Sequence, residues 1–152
     1  KDSSLIANDS FKKAVGILSG ETYLFEDSIF NNIKMAKPDA TLEEVMAAAK
    51  MSGLEGKINK FPKGINTMLK KNGDILSETE KQFLEYARII LQNPKILIID
   101  EAITISDKRV KKTFFNSLNK FVENKTCIYI STKEIEEFVH SSCLYISDGK
   151  IV

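Results

Sequence analysis

The spacing of apolar residues changes along this chain from runs to helical periods and back, and those changes predict its elements. Residues 1–10 are polar and predict no clear element. Ala14-Val15-Gly16-Ile17-Leu18 reads as a short buried strand, broken by Ser19-Gly20 and followed by Thr22-Tyr23-Leu24-Phe25. Ser28 to Met35 is a candidate short helix, and Lys37-Pro38-Asp39 is a turn. Thr41 opens a longer helix: Thr41 and Glu44 have the spacing of a capping box, with apolar Val45, Met46 and Ala49 behind them. Residues 53–75 are rich in Gly, Lys and Asn, contain Pro62, and predict irregular chain.

A second capping box, Ser77 with Glu80, starts a helix that runs to about Leu91, with Phe83, Leu84, Ala87, Ile90 and Leu91 on its apolar face. Pro94 precedes Ile96-Leu97-Ile98-Ile99, an apolar run that ends in Asp100-Glu101. Such a run reads as a buried parallel strand. Helical spacing returns over 107–123, with Val110, Phe114, Leu118, Phe121 and Val122 on one side. Thr126-Cys127-Ile128-Tyr129-Ile130 predicts a second parallel strand, and 133–140 a short helix. Leu144-Tyr145-Ile146, Asp148-Gly149 and Ile151-Val152 have the pattern of a hairpin. Strands alternating with helices in the back half argue for a parallel α/β sheet, while the front half is mostly helical.

Composition narrows the class without changing this outline. The 152 residues suffice for one domain with a core, at 43% hydrophobic and 28% charged. A net charge of +1 gives no bulk field toward nucleic acid or an anionic membrane. The apolar runs are far shorter than the roughly 20 residues of a membrane helix, and the N-terminus carries no secretory signal. Cys127 and Cys143 lie in apolar strand-like runs and are expected to be packed, reduced thiols, which suggests a cytosolic setting. The sequence starts at Lys1 without an initiator Met, so the expectation is a piece of a longer protein.

The candidate chemistry sits at Asp100 and Glu101. In open α/β sheets, ligands bind beyond the carboxyl ends of the strands. An Asp there can hold Mg²⁺, and an adjacent carboxylate can orient or deprotonate a water. On a plainer reading, Asp100 caps the next segment and Glu101 lies on the surface. The strand-end pair alone does not separate the two.

The order of elements does. From about Ser10 to Val152 the chain resembles the nucleotide-binding domain of ABC transporters, especially exporters. Val15-Gly16-Ile17-Leu18 and Glu21-Thr22-Tyr23-Leu24-Phe25 look like the strand and loop around the Q-loop, and Asp27 to Ile33 like the helix after it. Leu76-Ser77-Glu78-Thr79-Glu80-Lys81-Gln82 stands where the family has its signature sequence. Ala87-Arg88 and Asn93-Pro94-Lys95 lead into Ile96 to Glu101, similar to the Walker B strand and catalytic Glu. Ala102 to Asp107 resembles the D-loop, and Asp148 to Val152 the terminal hairpin. The resemblance implies an α/β fold: part of a P-loop NTPase-like parallel sheet with an ABC-type helical subdomain, ending in a β-hairpin. It implies one partial domain over 1–152, with the Q-loop and helical subdomain at about 20–90 and the Walker B part at about 91–152. By resemblance, Asp100 would bind Mg²⁺ through water and Glu101 would be the base. Ser77, Glu78 and Thr79, Gly20, Asp107 and Thr132 occupy the signature, Q-loop, D-loop and switch-histidine positions.

Several of those positions depart from the family. Gly20 replaces the Q-loop Gln. Glu78 and Thr79 replace two signature glycines whose amides cradle a phosphate on the opposite subunit, and a carboxylate there repels a polyanion. Thr132 replaces the switch histidine, and the only histidine, His140, lies eight residues further along, read as a surface or packing residue. Lys70-Lys71 falls where exporters usually carry a Glu, in a segment that contacts the membrane domain; a solvated basic turn is the plainer reading. No Gly-x-x-x-x-Gly-Lys-Ser/Thr loop occurs; Gly53-Leu54-Glu55-Gly56-Lys57 has the wrong spacing and no preceding strand. Within the family that loop lies upstream. The expectation is therefore a degenerate fragment of an ABC transporter ATP-binding domain that couples ATP binding and hydrolysis to export, weakly or not catalytic itself. The alternatives are a non-catalytic interaction module that keeps the fold, and a truncated active ATPase. ATP and Mg²⁺ are the implied cofactors. The implied partners are a second nucleotide-binding domain, as homo- or heterodimer, and a transporter's transmembrane domain, with no nucleic acid. The implied location is the cytoplasmic face of a membrane.

Overall fold

Three of the apolar runs form one parallel sheet. In a computed structural model, which describes residues 13–20, 22–133, 135–139, 142–148 and 150–151, β1 (Val15–Ser19), β2 (Ile96–Asp100) and β3 (Thr126–Ile130) lie in the order β1-β2-β3. The register places Ile17 opposite Ile98 and Ile98 opposite Ile128, and it aligns Ser19, Asp100 and Ile130 at the carboxyl edge. Residues 1–10, His140 and Gly149 lie outside the described residues.

The helices form as the caps predict. α1 (Ile29–Lys34) starts at Ser28, whose hydroxyl accepts from the Asn31 amide, and α2 (Leu42–Ser52) starts at the Thr41–Glu44 capping box. Gly53, at φ 92°, ends α2 in the left-handed conformation that glycine favours. The stretch expected to be irregular holds a single turn of helix, α3 (Glu55–Ile58), and two 3₁₀ turns at Gly64–Asn66 and Lys71–Gly73. α4 (Glu78–Gln92) and α5 (Lys108–Val122) match their predicted spans to within a residue or two.

α4 is a wall shared by two cores. Its Leu84, Ala87 and Leu91 pack with Ile29, Ile33, Val45, Ala49 and Leu54 of the helical layer. Its Tyr86 and Ile89 pack with Leu18, Leu97, Ile99, Phe115 and Leu118 of the sheet layer. Tyr86 is fully buried, with its ring 4.9 Å from that of Phe114. Burial on both sides explains why Tyr86 and Ile89 fall outside the single apolar face read from the sequence. Each fully buried aliphatic side chain here contributes on the order of 2 kcal/mol.

Three expectations need correction. β1 is not buried throughout: α4 and α5 cover one face of the sheet, and Ile17 (57% exposed) lies open on the other, as Ile128 (49%) does on β3. Residues 133–140 form no helix among those described. Asn119 of α5 donates to the Glu137 carbonyl at 2.8 Å and accepts from the Val139 amide at 3.1 Å, taking backbone groups that a helix would use. Cys143 is exposed and outside any strand, whereas Cys127 is half-buried with its thiol pushed up to about 11 by burial. The terminal hairpin forms as expected. β4 (Ile146–Ser147) pairs antiparallel with β5 (Lys150–Ile151), and Leu144 and Tyr145 stay outside it, exposed.

Candidate functional site

The carboxyl edge of the sheet gathers one part of the candidate set. Asp100 ends the central strand and is exposed. Glu101 follows in a left-handed conformation at φ 46°, also exposed, with its amide donating to the Ile130 carbonyl at 3.1 Å. That bond ties the turn after β2 to the end of β3, two residues before exposed Thr132. On the other side, Gly20 follows Ser19, the register partner of Asp100. A Cβ placed on Gly20 meets only the Glu101 carbonyl oxygen, at 3.7 Å, so packing does not require a glycine there. Gly20, Asp100, Glu101 and Thr132 therefore share one edge.

The remaining candidates belong to helix starts. α4 runs antiparallel to β1: Gln92 donates to the Val15 carbonyl at the start of β1, and Glu85 meets Ser19 and Thr22 at its end. Ser77 lies eight residues before Glu85, about 12 Å further along the helix axis. Its capping box is closed: the Ser77 hydroxyl accepts from the Glu80 amide at 3.3 Å, and the Glu80 carboxylate accepts from the Ser77 amide at 2.8 Å. Lys57 sits 3.1 Å from the Glu80 carboxylate. The amide and lysine contacts hold that carboxylate below its ordinary range although burial opposes them. Glu78 is exposed and pairs with Lys81 at 2.8 Å, and Thr79 is half-buried. Asp107 caps α5, accepting from the Arg109 and Val110 amides at 2.8 and 3.0 Å. Among the described residues no bond joins Ser77, Glu78, Thr79 or Asp107 to the Asp100–Glu101 pair.

These residues do not make a complete site for Mg²⁺ and a triphosphate. Asp100 is one suitable oxygen ligand, but Mg²⁺ also needs substrate phosphates held in place. Among the described residues there is no group of three His, Cys, Asp or Glu side chains placed to hold a metal. Among the described residues this edge also carries no glycine-rich run of amides to cradle phosphates.

The sequence reading overlooked a polar network beside this edge. Arg88, half-buried on α4, donates from Nη1 to the Tyr23 carbonyl at 2.8 Å, from Nε to the Asn32 carbonyl at 2.6 Å and from Nη2 to Asn32 Oδ1 at 2.9 Å. Asn32 is buried, and its amide nitrogen donates to the carbonyls of Phe25, Asp27 and Ser28 at 3.0, 3.3 and 3.0 Å. Gln82 donates to Thr104 at 2.6 Å, linking α4 to the segment after β2. The available signal was a charged residue, Arg88, lying between Leu84 and Leu91 on an otherwise apolar helix face.

Comparison with known proteins is consistent with this architecture. The sequence profile of the ABC transporter family matches residues 1–104. The heavy metal tolerance protein of Schizosaccharomyces pombe is 36% identical over 143 residues, which is 94% of this chain and 17% of that protein. The mitochondrial iron-sulfur clusters transporter atm1 of Aspergillus fumigatus is 30% identical over 148 residues, 96% of this chain and 20% of its own. Among solved structures, a bacterial Atm1-family ABC exporter with ATP bound superposes with a TM-score of 0.81 at 32% identity, covering 88% of this chain and 23% of that one. The chain spans about a fifth of the length of these relatives and matches their C-terminal part. The ordered strands, helices and hairpin, together with the family match over more than half of the sequence, show that this chain belongs to the ABC transporter family.

Proposed function

We propose that this chain is the C-terminal part of an exporter's ATP-binding domain in a degenerate form, which responds to nucleotide more than it turns nucleotide over. The observation that carries this reading is the closed cap at Ser77–Glu80. Two of the donors at the start of α4 are held by the chain's own side chains, and Glu78 adds an exposed negative charge beside them. A helix start so occupied is poorly suited to a phosphate. The missing side chain at Gly20 and the threonine at 132 support the same reading.

The open face at Ile17, Ile98 and Ile128 fits this role, because parallel sheets are normally covered on both faces. In this account further domain structure packs there. A second nucleotide-binding domain would stand opposite the Ser77 end, and a transporter's membrane domain would anchor the assembly at the cytoplasmic face. No described helix is long and apolar enough to cross a membrane.

The same open apolar face also favours a second reading, an interaction module in which Asp100 and Glu101 are relics. Titration of the 152-residue chain with Mg-ATP and a non-hydrolysable analogue tests both. Weak or no binding is expected, since most triphosphate contacts of such sites come from a phosphate-binding loop. Tight, Mg²⁺-dependent binding would overturn the module reading and show that this edge is a competent site.

A further inference from the structure

The segment from Ser19 to Phe25 passes Gly20 and Thr22 at the carboxyl end of β1, with Tyr23 and Phe25 exposed. A segment with so much exposed apolar surface needs specific ties to keep one position. Leu24 provides one, buried in the helical core. The others come from two charged residues one turn apart on α4. The Glu85 carboxylate accepts from the Thr22 hydroxyl at 2.8 Å and from the Ser19 backbone amide. Arg88 reaches the Tyr23 carbonyl directly and Phe25 through Asn32, whose Oδ1 accepts from the Phe25 amide at 3.0 Å. The side-chain ties at Thr22, Tyr23 and Phe25 lead to α4 or to Asn32, and Asn32 is itself held by Arg88.

We infer that Glu85 is a positioning residue: with Arg88 it clasps Ser19–Phe25 to α4, so that the helix rather than the sheet alone sets where Gly20 stands beside Glu101. Glu85 is removed from much of its water, which is unfavourable for a carboxylate unless hydrogen bonds compensate. Its location is thus informative, whereas Glu78 and Glu80 on the same helix sit at the solvated cap. Gly20 lies between the Ser19 and Thr22 attachment points, so the Glu85 end of the clasp governs it most closely. This inference does not rest on nucleotide binding.

The test is amide hydrogen exchange on the protein, following peptides that cover Ser19–Phe25 and, as an internal reference, α2. Thr22→Val keeps the side-chain volume and removes the hydroxyl donor. It is expected to raise exchange in Ser19–Phe25 by about 10-fold, the scale of one hydrogen bond to a charged group, with α2 unchanged. Glu85→Ala is expected to do at least as much, and the double variant no more than Glu85→Ala alone. Glu85→Gln, which keeps a carbonyl acceptor, should restore most of the protection. Unchanged exchange in Thr22→Val, additive effects in the double variant, or no rescue by Gln relative to Ala would each overturn the inference. If Glu85→Ala fails to fold, Thr22→Val and Glu85→Gln alone decide it: the first must loosen the segment and the second must not.

Discussion

Arg88 and Asn32 are joined twice, side chain to side chain at 2.9 Å and side chain to backbone at 2.6 Å, across 56 residues of sequence. Through this pair the helix behind the sheet holds the loop that leaves β1. Asn32 uses both ends of its amide, with three carbonyls on its nitrogen and two donors on its oxygen. Replacing it leaves several buried groups without partners. Asn32→Leu is expected to destabilise the fold by about 3 kcal/mol, measured by urea unfolding, and Asn32→Asp by a similar amount because its carboxylate would face carbonyls. A change below about 1 kcal/mol for both would contradict the network.

Tyr86 separates packing from hydrogen bonding. Its ring is fully buried beside Phe114 and Phe121, but its hydroxyl meets Ser117 only at 3.4 Å. Tyr86→Phe is expected to change stability by less than about 1 kcal/mol, while Tyr86→Ala opens a cavity in the sheet-layer core and costs about 3–5 kcal/mol. Thermal unfolding of the two variants distinguishes them.

Gly73 occupies φ 63°, and a Cβ there would collide with Leu24 Cδ1. Both features oppose a side chain. Gly73→Ala is expected to cost about 2 kcal/mol in a denaturant titration. Gly20 is the opposite case, with open space at its Cβ position. Gly20→Gln, which supplies the side chain that the resemblance to the family implies there, is expected to leave stability within about 0.5 kcal/mol of the parent.

Glu85 gives a pH signature of defined sign. Burial raises its pKa from the ordinary 4.5, opposed by the Thr22 hydroxyl, the Ser19 amide and the Arg88 charge. A raised pKa means the folded chain holds this proton more tightly than the unfolded chain. Its contribution is therefore complete below the unfolded value and is lost as pH rises through the folded one. Glu85→Gln removes that dependence. The stability of the Gln variant relative to the parent should rise from about pH 3.5 to pH 7, measured by parallel unfolding curves. Curves that keep a constant separation, or converge as pH rises, would contradict the assignment. The carboxylates of Glu80, Glu44 and Glu137, whose pKa values are lowered, act in the opposite direction and cancel in the comparison.

Much of this fold can be read in local sequence. Thr41–Glu44 and Ser77–Glu80 carry capping boxes that need only four residues to be recognised, and both form. Ile96–Ile99 reads as a strand from its unbroken apolar run, and it pairs on both edges. Local spacing misleads where tertiary partners decide. Asn119 competes for the backbone of the expected 133–140 helix from another element. The exposure of Ile17 and Ile128 depends on what covers the sheet, which no local pattern encodes. The position of Asp100 and Glu101 at the carboxyl edge was legible because an apolar run that stops at two acids marks a strand end. Glu85, Thr22 and Asn32 were not, because their meaning lies in contacts between segments 7 to 63 residues apart.

The proposed function implies that the domain containing this chain turns over little ATP at Glu101. The direct measurement is steady-state Mg-ATP hydrolysis by the complete protein containing this chain, assembled with its partner domain, compared with the Glu101→Gln variant. The account predicts little turnover and no loss on Glu101→Gln. Robust turnover that Glu101→Gln abolishes would contradict it.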